Sequence, residues 1–435
     1  MLELENKIHS KSAKVGIVGL GYVGLPLAVA FSEAGFTVLG FDIQQKRVDL
    51  VNQGESYIAD VSHERLTAVL LRGVLEATTD QSRAGEMDAL CICVPTPLTK
   101  TKDPDLSYVI RESEAISTYL KQEQLIILES TTYPGTTREV VLPILQRSGL
   151  KVESDFYLAF SPERVDPGNR KYTIKNTPKI VGGISADSTR LAALLYQQVA
   201  DIVVPVSCPE IAEMTKVFEN VFRSVNIALV NELAQLCERM GISVWEVIAA
   251  TSTKPFGYMP FYPGPGVGGH CIPLDPYYLA SKAREYDFHT RFIELAGEIN
   301  EQMPYYVVSR LIEALNAQGK SLNGARVLVL GAAYKKDVED LRESPSLKII
   351  ELLQQKGAKV SYNDPYILQL QLSNGSLHSV ELTQQCLSSM DCVVVATDHS
   401  CYNLEQIATW SKLVFDTRGA TRALKHAHNI VRLGE

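Results

Sequence analysis

The chain has 435 residues, 46% hydrophobic and 21% charged, with a net charge of -8 at pH 7. That length exceeds one ordinary core, so two or three soluble domains are expected, and the acidic balance argues against a nucleic-acid partner. The longest apolar runs fall short of the roughly 18 residues a membrane span needs, and the opening "MLELENKIHSKSAK" lacks the apolar segment of a secretory signal. No membrane partner and a cytoplasmic location are expected.

Residues 14–20, "KVGIVGL", read as a buried strand dense in β-branched side chains. Gly19, Gly21 and Gly24 follow in GxGxxG spacing, then a helix through "LPLAVAFSEAG", then a second strand, "TVLGFD", ending in Asp42. Strand, glycine turn, helix, strand and acid in this order form the dinucleotide-binding fingerprint. Glycines let the backbone approach a pyrophosphate, and the helix N-terminus offers unpaired N–H groups and a positive dipole end. A carboxylate at Asp42 accepts the ribose hydroxyls and repels a 2′-phosphate, which favours NAD over NADP. Arg47 borders either the adenosine or the solvent.

Further strands are read at 88–95, 125–130 and 156–163, each running into a polar or proline-rich loop. Loops at strand C-termini build the site of an open α/β sheet. Thr96, Thr131 and Glu163 are therefore candidates, against the alternative of capping hydroxyls and a solvated glutamate.

From Pro209 the texture changes. Residues 209–241 carry apolar side chains at helical spacing with no interior Gly or Pro, and Gly241 supplies the stop. One long helix suits a spine between domains or a dimer interface. Lys216 and Asn220 stand at i and i+4 on one face, either as a surface pair or as site residues. After more helix, the β pattern returns at "ARVLVLG" (325–331), "AKVSYNDP", "DCVVVATDH" and "KLVFDTRG". This second βαβ region lacks GxGxxG. Lys335, Lys336 and Arg342 instead put positive charge after its first strand, where a phosphate would sit.

The eight cysteines are scattered, with no CxxC pair and no zinc-finger spacing, so neither a disulfide framework nor a metal is expected. Cys271 differs from the rest. It follows a glycine-rich stretch, "YPGPGVGGHCIPLDP", and Asp275 stands four residues later. A structural thiol, a metal ligand and a nucleophile are the competing readings. An NAD enzyme with an accessible thiol points to aldehyde-level chemistry, in which the thiolate adds to a carbonyl, hydride leaves and a thioester remains for water to cleave.

The motifs "KVGIVGLGYVGLPLA", "ESTTYPGTT", "SPERVDPG", "EMTKVFENVFRSVNIALVNE", "GVGGHCIPLDP" and "YKKDVEDLRESP" stand in one order over residues 14–420. Together they resemble the UDP-glucose/GDP-mannose dehydrogenase family. Within it, the stretch from Tyr262 to Asn300 is most similar to the bacterial UDP-N-acetylglucosamine 6-dehydrogenases of polysaccharide (O-antigen or capsule) biosynthesis. The resemblance implies an α/β chain with two Rossmann-like doubly wound βαβ domains joined by a long central helix. Its divisions fall at 1–207 (NAD-binding), 208–318 (helical and dimerising, carrying the catalytic loop) and 319–435 (UDP-sugar-binding).

The resemblance also implies a four-electron oxidation of a UDP-sugar C6 alcohol to the uronic acid, with NAD as oxidant and a homodimer or higher homo-oligomer as the assembly. Cys271 would form the thiohemiacetal and thioester. Lys216 and Asn220 would stabilise the C6 oxyanion, Asp275 would assist hydrolysis, Thr131 would hold the water, and Glu163 would help proton transfer. Gly19, Gly21, Tyr22, Val23, Gly24, Asp42, Arg47, Thr96 and Thr131 fall on NAD positions. Glu163, Arg164, Lys216, Asn220, Tyr262, Gly268, Lys335 and Arg342 fall on substrate positions. Two departures stand out. Pro167 occupies the place of a second glutamate found in some members, and Lys254-Pro255 replaces an arginine that reaches across the dimer in UDP-glucose members. UDP-glucose, UDP-N-acetylgalactosamine and UDP-N-acetylmannosamine are the alternative sugars, and a silent nucleotide-binding module is the alternative of another class.

Overall fold

The computed structural model describes residues 3–58, 60–99, 102–165, 169, 171–269, 271–373, 375–424 and 428–435. The chain divides into two compact units, residues 1–219 with 277–288, and residues 220–276 with 289–435.

The first unit is built on eight strands: β1 (Lys14–Val18), β2 (Thr37–Phe41), β3 (Leu75–Thr78), β4 (Ala89–Ile92), β5 (Gln124–Leu128), β6 (Phe156–Phe160), β7 (Lys179–Gly183) and β8 (Val203–Val206). They lie in one sheet in the order β3-β2-β1-β4-β5-β6-β7-β8. All neighbours are parallel except β6 and β7, which run antiparallel. The first six strands have the doubly wound dinucleotide-binding order, whose crevice opens where β1 and β4 diverge. Strands buried on both faces need continuous apolar runs, and β4, β5 and β6 are buried at every residue.

The second unit has a five-stranded parallel sheet of β9 (Arg326–Leu330), β10 (Lys359–Asn363), β13 (Cys392–Val395), β14 (Val414–Asp416) and β15 (Ile430–Arg432), ordered β10-β9-β13-β14-β15. A hairpin of β11 (Gln369–Leu372) and β12 (Gly375–His378) stands beside it. Here the strand order reverses between β9 and β13. The expected architecture of two doubly wound sheets therefore holds. The 32-residue helix Pro209–Met240 matches the reading of one long helix, and Gly241 stops it in the left-handed region at φ +69°. Among the described residues no helix is long and apolar enough to cross a membrane.

Candidate active site

The glycine turn after β1 fits a dinucleotide because its three glycines answer three different demands. Gly19 has φ +92°, and a Cβ there would lie 2.8 Å from the Cys93 carbonyl oxygen. A Cβ on Gly24 would lie 1.8 Å from the Gly19 carbonyl oxygen, so turn and helix touch backbone to backbone. A Cβ on Gly21 would meet nothing within 4 Å, which leaves an open approach to the backbone. The helix Gly24–Ala34 starts at Val23 without a side-chain cap, so its dipole end suits a pyrophosphate. Tyr22 stands half-exposed on the turn.

Asp42 follows β2 and is buried. Its Oδ2 accepts from the Leu20 N–H at 3.0 Å and its Oδ1 from the Gln44 N–H at 2.9 Å. The Arg47 guanidinium reaches Oδ2 at 3.3 Å and lies 5.9 Å over the Tyr57 ring. Arg47 is thus part of this acidic corner. The carboxylate is fixed and retains lone pairs for ribose hydroxyls.

Behind β4 and β5, the Thr96 hydroxyl donates to the Thr131 carbonyl at 2.7 Å, and the Tyr278 hydroxyl donates to the Thr96 carbonyl. The loop continues to Thr137, where the long helix holds it. Glu213 accepts from Gly135 N–H at 2.6 Å, Thr137 N–H at 2.8 Å and the Thr137 hydroxyl at 2.7 Å. Burial pushes the Glu213 carboxyl up to about 7, against the pull of these hydrogen bonds. Lys216, one turn further, is only 9% exposed. Among the described residues no acid forms an ion pair with it. A buried cation without a counter-ion is costly, which sets aside the surface-pair reading.

Glu163 lies beyond the end of β6. Its Oε1 accepts from the N–H groups of Arg164 at 2.6 Å and Val165 at 2.5 Å. Arg164, read as a substrate contact, is committed elsewhere. Its guanidinium grips Glu219 at 2.5 and 3.3 Å and the Pro178 carbonyl at 2.7 Å, making it a strut to the long helix. Pro167 lies outside the described residues.

In the second unit, Cys271 heads the helix Cys271–Arg284. The thiol is half-buried and stands in the first turn, at the positive end of the helix dipole. Asp275, one turn on and 1% exposed, accepts from the Asn220 amide at 2.5 Å. The preceding loop requires its glycines. Gly266 and Gly269 have φ +134° and +87°, and a Cβ on Gly268 would lie 2.5 Å from the Tyr334 Cβ. Two groups pin the loop, and a third backs one of them. The Arg342 carbonyl accepts from Gly269 N–H at 2.8 Å, the Asn231 side chain accepts from Gly264 N–H at 3.0 Å, and Asn231 in turn donates to Asn300 at 3.0 Å. Tyr262 stacks on Trp245 with centroids 6.3 Å apart, and the Arg422 guanidinium lies 4.9 Å over the Trp245 ring.

Past the C-terminal ends of β9, β13 and β14 opens a cavity of about 1160 Å³, lined among others by Trp245, Lys336, Asp398, Tyr402, Arg418 and Arg422. A switch point of this kind is where doubly wound sheets bind nucleotides. The Arg418 Nε donates to the Ala396 carbonyl at 2.8 Å, and its Nη1 would lie 3.0 Å from a Cβ on Gly264. The loop carrying half-buried Lys335 is braced from below. Ala332 and Ala333 donate to Asp364 at 2.7 and 2.9 Å, and Asp337 N–H donates to the buried His399 at 2.9 Å. The Arg342 side chain pairs with Asp340 at 2.6 Å, and its carbonyl contacts the glycine loop. Asn231, Asn300, Glu213, His399 and Arg418 were not read from the sequence. "DTRG" after a strand was the one available sign of Arg418.

Three segments of the chain match the UDP-glucose/GDP-mannose dehydrogenase family: its NAD binding domain over residues 13–200, its central domain over 210–302 and its UDP binding domain over 328–423. The UDP-N-acetyl-D-mannosamine dehydrogenase of Methanococcus maripaludis is 35% identical over 419 residues, covering 93% of this chain and 92% of the relative. The UDP-N-acetyl-D-glucosamine 6-dehydrogenase of Pseudomonas aeruginosa is 36% identical over 395 residues, covering 90% and 91%. The solved structure of the UDP-N-acetyl-D-mannosamine dehydrogenase from Pyrococcus horikoshii superposes with a TM-score of 0.88 at 34% identity, covering 97% of this chain and 99% of that one.

Proposed function

Because the chain belongs to the UDP-glucose/GDP-mannose dehydrogenase family, we propose that it oxidises the C6 alcohol of UDP-N-acetylglucosamine to the uronic acid through a covalent intermediate on Cys271. It is an NAD-dependent UDP-sugar 6-dehydrogenase. The observation that carries the covalent reading is Cys271 at a helix N-terminus, one turn from an Asp275 that Asn220 holds at 2.5 Å.

Gly19, Gly21, Tyr22, Val23 and Gly24 hold the pyrophosphate of NAD, Asp42 and Arg47 its adenosine ribose, and Thr96 and Thr131 the far end. NAD+ supplies, when bound, a hydride acceptor. Glu163 relays the C6 hydroxyl proton as the first hydride leaves C6. The Cys271 thiolate then bonds to the aldehyde carbon, and Lys216 and Asn220 stabilise the oxyanion of the resulting thiohemiacetal. Loss of the second hydride leaves a thioester. Thr131 and Asp275 orient a water whose oxygen bonds to that carbon. The C–S bond breaks, the thiolate is restored and the carboxylate leaves. In total, two hydrides and three protons depart from the alcohol and the water. Tyr262, Gly268, Lys335, Arg342 and Arg418 anchor the nucleotide and sugar, while Arg164 contributes by bracing Glu163.

The functional divisions are proposed at 1–207, 208–318 and 319–435. Ile211, Met214, Phe218, Phe222, Leu229 and Leu236 stand exposed along the long helix, and a stripe of that kind supports a homodimer. Light scattering at the monomer mass would overturn the dimer.

A panel of UDP-sugars with NAD+, read as NADH absorbance and uronic acid formed, tests the function. UDP-N-acetylglucosamine is expected to give the highest kcat/KM, with two NADH per acid. The Methanococcus and Pyrococcus relatives favour UDP-N-acetylmannosamine as the second reading. UDP-glucose and UDP-N-acetylgalactosamine are the remaining arms. Absence of NADH with every sugar would overturn the enzymatic reading.

A further inference from the structure

Glu163 belongs to an ion cluster of the first unit whose other members, Lys179 and Glu129, take no part in those steps. Lys179, the first residue of β7, is 5% exposed. Its ammonium lies 2.7 Å from Glu129 Oε2 and 3.8 Å from Glu163 Oε2. Glu129 directly follows β5 and is 1% exposed, and its other oxygen accepts from the Tyr196 hydroxyl. The Lys179 ammonium also sits 4.9 Å from the Tyr196 ring centre. Glu163 is therefore held at both oxygens, by two backbone N–H groups on Oε1 and by a cation on Oε2. β5 and β7 are separated in the sheet by β6. The lysine reaches past one strand to serve two acids.

Stability alone accounts poorly for this arrangement. Burying two carboxylates and one ammonium costs desolvation that their attraction barely repays, and apolar residues of the same volume would hold three strands as well. The cluster carries one more acid than base, so Lys179 divides its field between Glu129 and Glu163. The other groups facing it are neutral or committed. The thiols of Cys91 on β4 and of Cys93 just after it are pushed up by burial, as is the Tyr196 hydroxyl. The Arg164 guanidinium is occupied by Glu219.

We propose that Lys179 is a positioning residue for Glu163, orienting its carboxylate and setting its charge balance in competition with Glu129. The proposal rests on the reading of Glu163 as the proton-transfer group. Lys179 acts only through Glu163 and touches no substrate.

The test is the pH profile of kcat in the purified full-length protein with NAD+ and the best UDP-sugar of the panel. Glu163→Gln is the control, and its kcat is expected to fall about 100-fold or more at every pH. In Lys179→Met, Glu163 loses its cation, so the acidic limb of kcat moves up by about one pH unit. Its kcat falls while KM for the UDP-sugar stays within about twofold, and Lys179→Arg recovers most of the loss. In Glu129→Gln the competing acid is gone, so the acidic limb moves down. Opposite shifts from two members of one cluster are not what a strut between strands produces. An unmoved limb in both Lys179→Met and Glu129→Gln would overturn the proposal. Should Lys179→Met not fold, the Glu129→Gln limb alone decides: a downward shift supports the proposal and an unmoved limb overturns it. Full kcat in Glu163→Gln would instead overturn the role of Glu163 on which the proposal stands.

Discussion

The Asn220 amide donates a 2.5 Å hydrogen bond to the Asp275 carboxylate, joining the long helix to the helix that Cys271 heads. Both side chains are buried, at 7% and 1% exposed. Asn220→Ala withdraws a donor from a buried acid, which costs about 1–3 kcal/mol, so a lower Tm is expected together with lost turnover. Asp275→Asn keeps the shape and removes the charge. Its kcat is expected to drop about 100-fold or more, the scale of general acid–base catalysis, with Tm nearly unchanged. Normal steady-state turnover in Asp275→Asn would remove Asp275 from the hydrolytic step.

Lys216 is buried and not neutralised by any acid among the described residues. Its charge is therefore available to an oxyanion, a contribution of about 2.7–4 kcal/mol for donors of that kind. Lys216→Ala should cut kcat by two to three orders of magnitude, while calorimetry still detects UDP-sugar binding. Unchanged kcat would return Lys216 to a structural role.

Asp42 is braced by the N–H groups of Leu20 and Gln44, so its carboxylate is already fixed for the proposed ribose contact. Asp42→Ala is expected to raise KM for NAD+ about 10- to 100-fold, in line with loss of one charge-assisted hydrogen bond, and to narrow the preference over NADP+. Equal use of the two cofactors by the unaltered protein would contradict this reading of the corner after β2.

Much of the fold follows from local patterns. The glycine spacing after β1 and the apolar periodicity of Pro209–Met240 are properties of neighbouring residues, and both appear in the structure as read. Three strands of the first sheet went unread for local reasons as well. Leu75–Thr78 is only four residues long and half polar. Lys179–Gly183 ends in two glycines, one of them forced because a Cβ on Gly182 would lie 2.2 Å from the Cys208 carbonyl oxygen. Val203–Val206 contains Pro205, which an edge strand tolerates. The supports of the site were illegible for a different reason. Asn231 and Asn300 are 69 positions apart, and Glu129 and Lys179 are 50 apart. No spacing rule connects residues that only the completed fold brings together. Cys271 lay between these cases: its glycine loop was evident, but its place in the first turn of a helix was not, because Pro273 and Pro276 mask the helical pattern.

The covalent role of Cys271 is the central claim, and one measurement reaches it directly. Cys271→Ser keeps the fold and both binding sites but offers a weaker nucleophile, and an ester in place of a thioester hydrolyses more slowly. The variant is incubated with NAD+ and UDP-N-acetylglucosamine, or whichever sugar the panel selects, then digested and weighed by mass spectrometry. The account predicts a slow burst of NADH and a sugar-nucleotide adduct on the peptide containing residue 271. Steady uronic-acid formation at the unaltered rate, with no mass added to that peptide, would contradict it.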